Sequence, residues 1–81
     1  MRIRVFDTDT ARLMSLEGIV RSAVKRAGVT ADVIPVGDRL EITRCRLIGA
    51  LPALEVDGRI VSKSQLMEPE KIERIIREYV A

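Results

Sequence analysis

Residues 50–61 constrain the fold of this 81-residue chain more than any other segment. They read Ala-Leu-Pro-Ala-Leu-Glu-Val-Asp-Gly-Arg-Ile-Val, which is two short apolar runs on either side of Asp57 and Gly58. An Asp-Gly pair takes positive φ at both central positions of a tight hairpin turn. Pro52 stands where the first run begins, a sheet position that tolerates proline, and an X-Pro bond adopts the cis form at modest cost. The segment therefore predicts an antiparallel hairpin over about residues 53–62.

The residues before the hairpin predict a strand, a helix and a second strand. Residues 2–6 alternate between polar and apolar side chains, as a strand does. An apolar stripe with helical spacing follows and stops before Gly28, which suits the left-handed residue at a helix end. Residues 31–36 read as a strand whose Pro35 favours a sheet edge. The stripe consists of Leu13, Leu16, Val20, Ala23, Val24 and Ala27.

The segment 38–48 admits two interpretations. Asp38 followed three residues later by Glu41 is typical of a helix N-terminus. Residues 40–43 also alternate in polarity, and Gly37 with Asp38 would suit a hairpin turn. A short helix is favoured.

Pro69 opens a last helix, because proline is well tolerated in the first turn. The resulting order is β-α-β-α-β-β-α, and it predicts an α/β fold with a four-stranded mixed sheet. Its first three elements imply a right-handed parallel unit. We expect the first and last helices to cover one or both faces of the sheet. With 81 residues the chain is expected to form one domain over 1–81.

Composition excludes several functional classes. Aromatic residues make up 2% of the chain and its formal net charge is +2, which argues against a nucleic-acid surface built on base stacking. No apolar run approaches the roughly 18 residues that span a bilayer, so no membrane association is expected. One cysteine and no histidine give no metal-ligand pattern, and no cofactor is predicted. A lone cysteine forms no internal disulfide, which favours a cytoplasmic location.

The order of elements and the Pro-Ala-Leu-Glu-Val-Asp-Gly phrase at 52–58 resemble the thioredoxin/glutaredoxin fold. The chain is most similar to the small redox-disulfide proteins of bacteria and archaea, over nearly its whole length. Residues 1–6, 16–17 and 69–72 also match. The resemblance implies a thioredoxin-like sheet, with Pro52 in the position of the cis-proline of that family.

The resemblance places the two redox cysteines of the family at Thr10 and Leu13. A thiolate there would be stabilised by the free N–H groups and the positive dipole end of the first helix. This chain has no cysteine at either position and no histidine to activate a hydroxyl. We therefore expect a degenerate site and no dithiol–disulfide exchange by the isolated chain.

Asp7 and Asp9 flank the same loop, where the family usually has small residues. Aspartate is a common N-cap residue, and calcium-type cation binding needs more oxygen ligands than the loop offers. Helix capping is the favoured interpretation.

Three functional hypotheses remain. The first is a non-catalytic module that binds a peptide or protein in a groove beside Pro52, where the family's residue before the proline offers its backbone to an extended segment. The second is a monothiol redox protein using Cys45, activated by Arg44 and Arg46, although most free cysteines are small buried hydrophobes. The third is a ferredoxin-like small-ligand domain, which requires a strand within 38–48. The predicted groove is lined by Thr8, Thr10, Leu13, Leu51 and Pro52.

Overall fold

A computed structural model describes residues 1–65 and 68–80. These residues form four strands and three helices in the predicted order. The elements are β1 (Arg2–Phe6), α1 (Thr10–Ala27), β2 (Asp32–Val36), α2 (Arg39–Arg44), β3 (Ala53–Val56), β4 (Arg59–Lys63) and α3 (Pro69–Val80).

The four strands form one mixed sheet in the order β2-β1-β3-β4. β1 pairs with β2 in parallel and with β3 in antiparallel orientation, and β3 and β4 form the hairpin. The hairpin prediction is confirmed: Asp57 and Gly58 have φ of 48° and 86° at the turn. A bulge interrupts the pairing of β3 with β4 between Leu54 and Glu55.

One face of the sheet carries the larger core. Alternate residues of β1 and β3 point to this face, and α1 and α3 both pack on it. The prediction that the first and last helices cover the sheet is therefore correct for one face only. The strand residues of this core are Ile3, Val5, Val33, Leu54 and Val56.

The opposite face carries a smaller core under α2. Phe6 and Ala53 project from the sheet and pack with Ile42 of α2 and with Leu47. Because α2 is only six residues long, it covers this face at one end of the sheet.

The helix interpretation of 38–48 is confirmed, over a shorter range. The Asp38 side chain accepts a hydrogen bond from the Leu40 N–H and caps α2. The helix stops at Arg44 because Arg46 adopts a left-handed φ of 60°. No strand forms in this segment, so the ferredoxin-like alternative is wrong.

Candidate functional site

The predicted site residues meet at one end of the sheet, where β1 stops. Phe6 lies opposite Val36 of β2 on one side and Ala53 of β3 on the other. The next residue of β1 and the residue before Ala53 are Asp7 and Pro52, so these share the same end of the sheet. The Leu51–Pro52 peptide bond is cis.

The five predicted groove residues differ in exposure. Thr8 and Thr10 are exposed, Leu51 is half-buried and Pro52 is buried. Leu13 is buried in the core under α1, and its side chain faces Gly37 so closely that a β-carbon there would lie 3.2 Å from Leu13 Cδ2. Residues 1–65 and 68–80 enclose no pocket, so a contact surface at this end is shallow.

The first turn of α1 is built around two aspartates. The Asp9 side chain accepts a hydrogen bond from the Arg12 N–H at 3.0 Å, which confirms the capping interpretation for this residue. Asp7 has a different role, because its carboxylate is fully buried and accepts the Asp9 N–H at 3.0 Å.

The buried carboxylate of Asp7 is paired with the guanidinium of Arg12. Arg12 Nη2 donates to Asp7 Oδ1 at 2.9 Å, and Arg12 Nε donates to Oδ2. Burial acts to raise the pKa of Asp7, but the hydrogen bonds from Arg12 and the Asp9 N–H outweigh burial, and the pKa lies below its usual value. Sequence reasoning missed Arg12 as a partner, since the five-residue spacing has no conspicuous pattern.

Cys45 lies apart from this site. It caps the C-terminus of α2 and is half-buried against the smaller core, on the face of the sheet opposite Leu13. The structure does not bring the thiol together with Thr10 or Leu13.

The polar neighbours of the thiol are not the predicted ones. Arg4 Nη2 and Glu41 Oε1 each lie 4.0 Å from the sulfur of Cys45, whereas the sequence suggested Arg44 and Arg46. Arg4 comes from β1 and approaches only through the fold. Its alternation with Ile3 and Val5 was the available signal, because it places Arg4 on the face that α2 covers.

Other classes of site find no support in the part of the chain that is described. No cluster of three metal-ligating side chains occurs within residues 1–65 and 68–80. Among the described helices, none combines the length and apolar character needed to cross a bilayer.

Comparison with known proteins agrees with this architecture. The model of the family described as "Thioredoxin domain" matches residues 1–77. The chain belongs to this thioredoxin family. It is 32% identical over 76 residues to a protein named thioredoxin from Methanothermobacter thermautotrophicus, a match that covers 94% of this chain and 97% of the relative. The resemblance stated from the sequence is thereby confirmed, as is the thioredoxin-like fold.

Proposed function

We propose that this thioredoxin-like domain is non-catalytic and binds an extended segment of a partner protein at the end of the sheet beside Pro52. The observation that carries the proposal is the free backbone of Leu51. Among the described residues, neither its N–H nor its C=O has a hydrogen-bond partner, although the residue is half-buried. A buried or half-buried main-chain donor and acceptor normally find partners, and an extended peptide supplies both.

Exposed apolar side chains around this end of the sheet support the same role. Met14 is 67% exposed one turn into α1, and Leu40 is 68% exposed in the first turn of α2. Both helices start from this end, and Ile48, 39% exposed, lies in the loop that leads to Pro52. Apolar groups around free backbone groups suit a peptide with apolar side chains. We also propose a cytoplasmic location, which the single cysteine supports.

A peptide array tests this proposal. Labelled protein is applied to immobilised 15-residue segments, and the strongest binders are titrated into ¹⁵N-labelled protein. We expect amide shifts at Thr8, Thr10 and Leu51, and about tenfold weaker binding by Leu51→Asp, as for an interface residue worth more than 1 kcal/mol. Val80→Asp is the matched control, because Val80 is an exposed apolar residue at the end of α3. Equal affinities for Leu51→Asp and the parent protein would contradict the proposal.

The absence of a dithiol separates this role from disulfide exchange. A redox thioredoxin needs two thiols that exchange with each other, and this chain has only Cys45. The proximity of the Arg4 guanidinium to Cys45, 4.0 Å from the sulfur, favours single-thiol chemistry as the second candidate function.

Restoring two thiols at the start of α1 tests both candidates. Insulin reduction with dithiothreitol as reductant is measured for the parent, Cys45→Ser, and Thr10→Cys/Leu13→Cys/Cys45→Ser. We expect the parent and Cys45→Ser to stay at the uncatalysed rate, and the triple variant to exceed it several-fold. Its rate should improve further with Asp7→Asn, since the nearby carboxylate disfavours a thiolate. A parent rate above that of Cys45→Ser would instead favour the single-thiol candidate.

A further inference from the structure

The outer edge of β4 is a second surface, independent of the Pro52 end. We propose that this edge binds an extended, acidic segment of a partner protein by strand addition. β4 is the terminal strand on its side of the sheet, and no described strand lies beyond it.

The hydrogen bonds of β3 establish which backbone groups face outward. The Asp57 N–H donates to the Arg2 C=O at 2.8 Å on the β1 side. The Ser64 N–H donates to the Pro52 C=O at 3.0 Å on the β4 side. Backbone groups of successive residues in a strand alternate between its two neighbours. Odd-numbered residues of β3 therefore face β1, and even-numbered residues face β4.

Two residues of β4 consequently turn their backbone groups away from the sheet. Ile60 lies opposite Glu55 and Lys63 lies opposite Ala53, and both of these β3 residues face β1. The N–H and C=O groups of Ile60 and Lys63 thus point outward. They offer an added strand two donors and two acceptors.

The other edge of the sheet is closed by contrast. The Val36 C=O accepts the Asp7 N–H, so the outward groups of β2 belong to Val33 and Pro35. Arg21 Nη2 donates to the Val33 C=O at 3.0 Å, and Pro35 has no N–H. Blocking groups of this kind protect a sheet edge from pairing. β4 has no such block on its outward backbone groups.

The charge on β4 selects the partner. Arg59 and Lys63 are exposed, and neither has a carboxylate within salt-bridge distance among the described residues. Ile60, 42% exposed, adds an apolar contact. Pairing with a second copy would bring these positive side chains together, and like charges across a strand pair are destabilising. The edge therefore rejects its own copy and suits acidic side chains.

A synthetic probe tests the proposal. An acetylated, amidated octapeptide alternating threonine and glutamate is titrated into ¹⁵N-labelled protein at low salt. We expect shifts along β4 and slower amide exchange at Ile60 and Lys63. Two exposed ion pairs predict about tenfold weaker binding by Arg59→Glu/Lys63→Glu.

The controls isolate the edge from general charge. Lys25→Glu/Arg39→Glu changes the net charge equally at exposed cations elsewhere, and it should retain most of the affinity. Leu51→Asp should also bind the probe normally, which separates this surface from the Pro52 end. The proposal is overturned if the probe does not bind, if a threonine–lysine octapeptide binds as tightly, or if the shifts fall outside β4.

Discussion

Replacing Asp7 by alanine is expected to lower the free energy of unfolding by roughly 2–3 kcal/mol, because it removes charge-assisted hydrogen bonds from a buried site. The carboxylate holds the Asp9 N–H and the Arg12 guanidinium, and so ties the end of β1 to the first turn of α1. Arg12 regains water after the change, since its side chain is 48% exposed. Urea denaturation followed by circular dichroism at neutral pH measures the loss.

Asp9→Ala is the matched control for this change. Asp9 lies two residues away on the same loop but is exposed, and it accepts only the Arg12 N–H as an ordinary helix cap. Loss of such a cap costs about 1 kcal/mol. Equal losses for the two variants would mean that burial and the Arg12 pairing add nothing to Asp7.

The difference between the parent and Asp7→Ala should depend on pH. The pKa of Asp7 lies below its model value of 3.8 in the folded protein. A lowered folded pKa stabilises the fold above the unfolded value, and this stabilisation is lost as pH falls through the folded pKa. The difference should hold from neutral pH to about pH 4 and then shrink. A difference that stays constant down to pH 2.5 would assign the effect to packing.

Local rules were sufficient to predict most of the fold. The Asp57–Gly58 turn requires positive φ, Gly28 ends α1 at φ 69°, and Pro69 begins α3, and each of these depends on a few adjacent residues. The bulge at Leu54 and Glu55 was beyond such rules. It depends on how two strands pair, which neither strand encodes alone.

The candidate site was less predictable for the same reason. Aspartate next to a helix start is usually an exposed cap, and Asp9 follows this rule. Asp7 is buried only because α1 folds back over the end of β1 and brings Arg12 to it. The environment of Cys45 likewise depends on Arg4, which is 41 residues away in the sequence.

The pairing of Arg4 with Glu55 has the same non-local origin and anchors the face of the sheet that α2 covers only in part. Arg4 Nε donates to Glu55 Oε1 at 2.7 Å and Nη2 donates to Oε2 at 2.9 Å. The side chains are 18% and 11% exposed. The guanidinium also lies 5.0 Å from the centre of the Phe6 ring. The hydrogen bonds from Arg4 outweigh burial and lower the pKa of Glu55.

Arg4→Met should therefore destabilise the protein by about 3 kcal/mol, because it leaves the Glu55 carboxylate buried without its partner. In this variant burial raises the pKa of Glu55 above its unfolded value. Its carboxylate then destabilises the fold at neutral pH, and the penalty disappears as pH falls through the raised pKa. Arg26→Met, which breaks the more exposed pair with Glu73, should cost far less.

The double variant Arg4→Met/Glu55→Leu should recover stability to within about 1 kcal/mol of the parent, because a buried ion pair replaced by packed apolar groups is often neutral. Charge is removed together with its desolvation cost, and the two long side chains keep their contacts with Phe6 and β3. Urea denaturation of the parent, both single variants and the double variant completes the cycle. A double variant as unstable as the sum of its parts would show that the ion pair itself, and not merely its balance of charge, stabilises this face of the sheet.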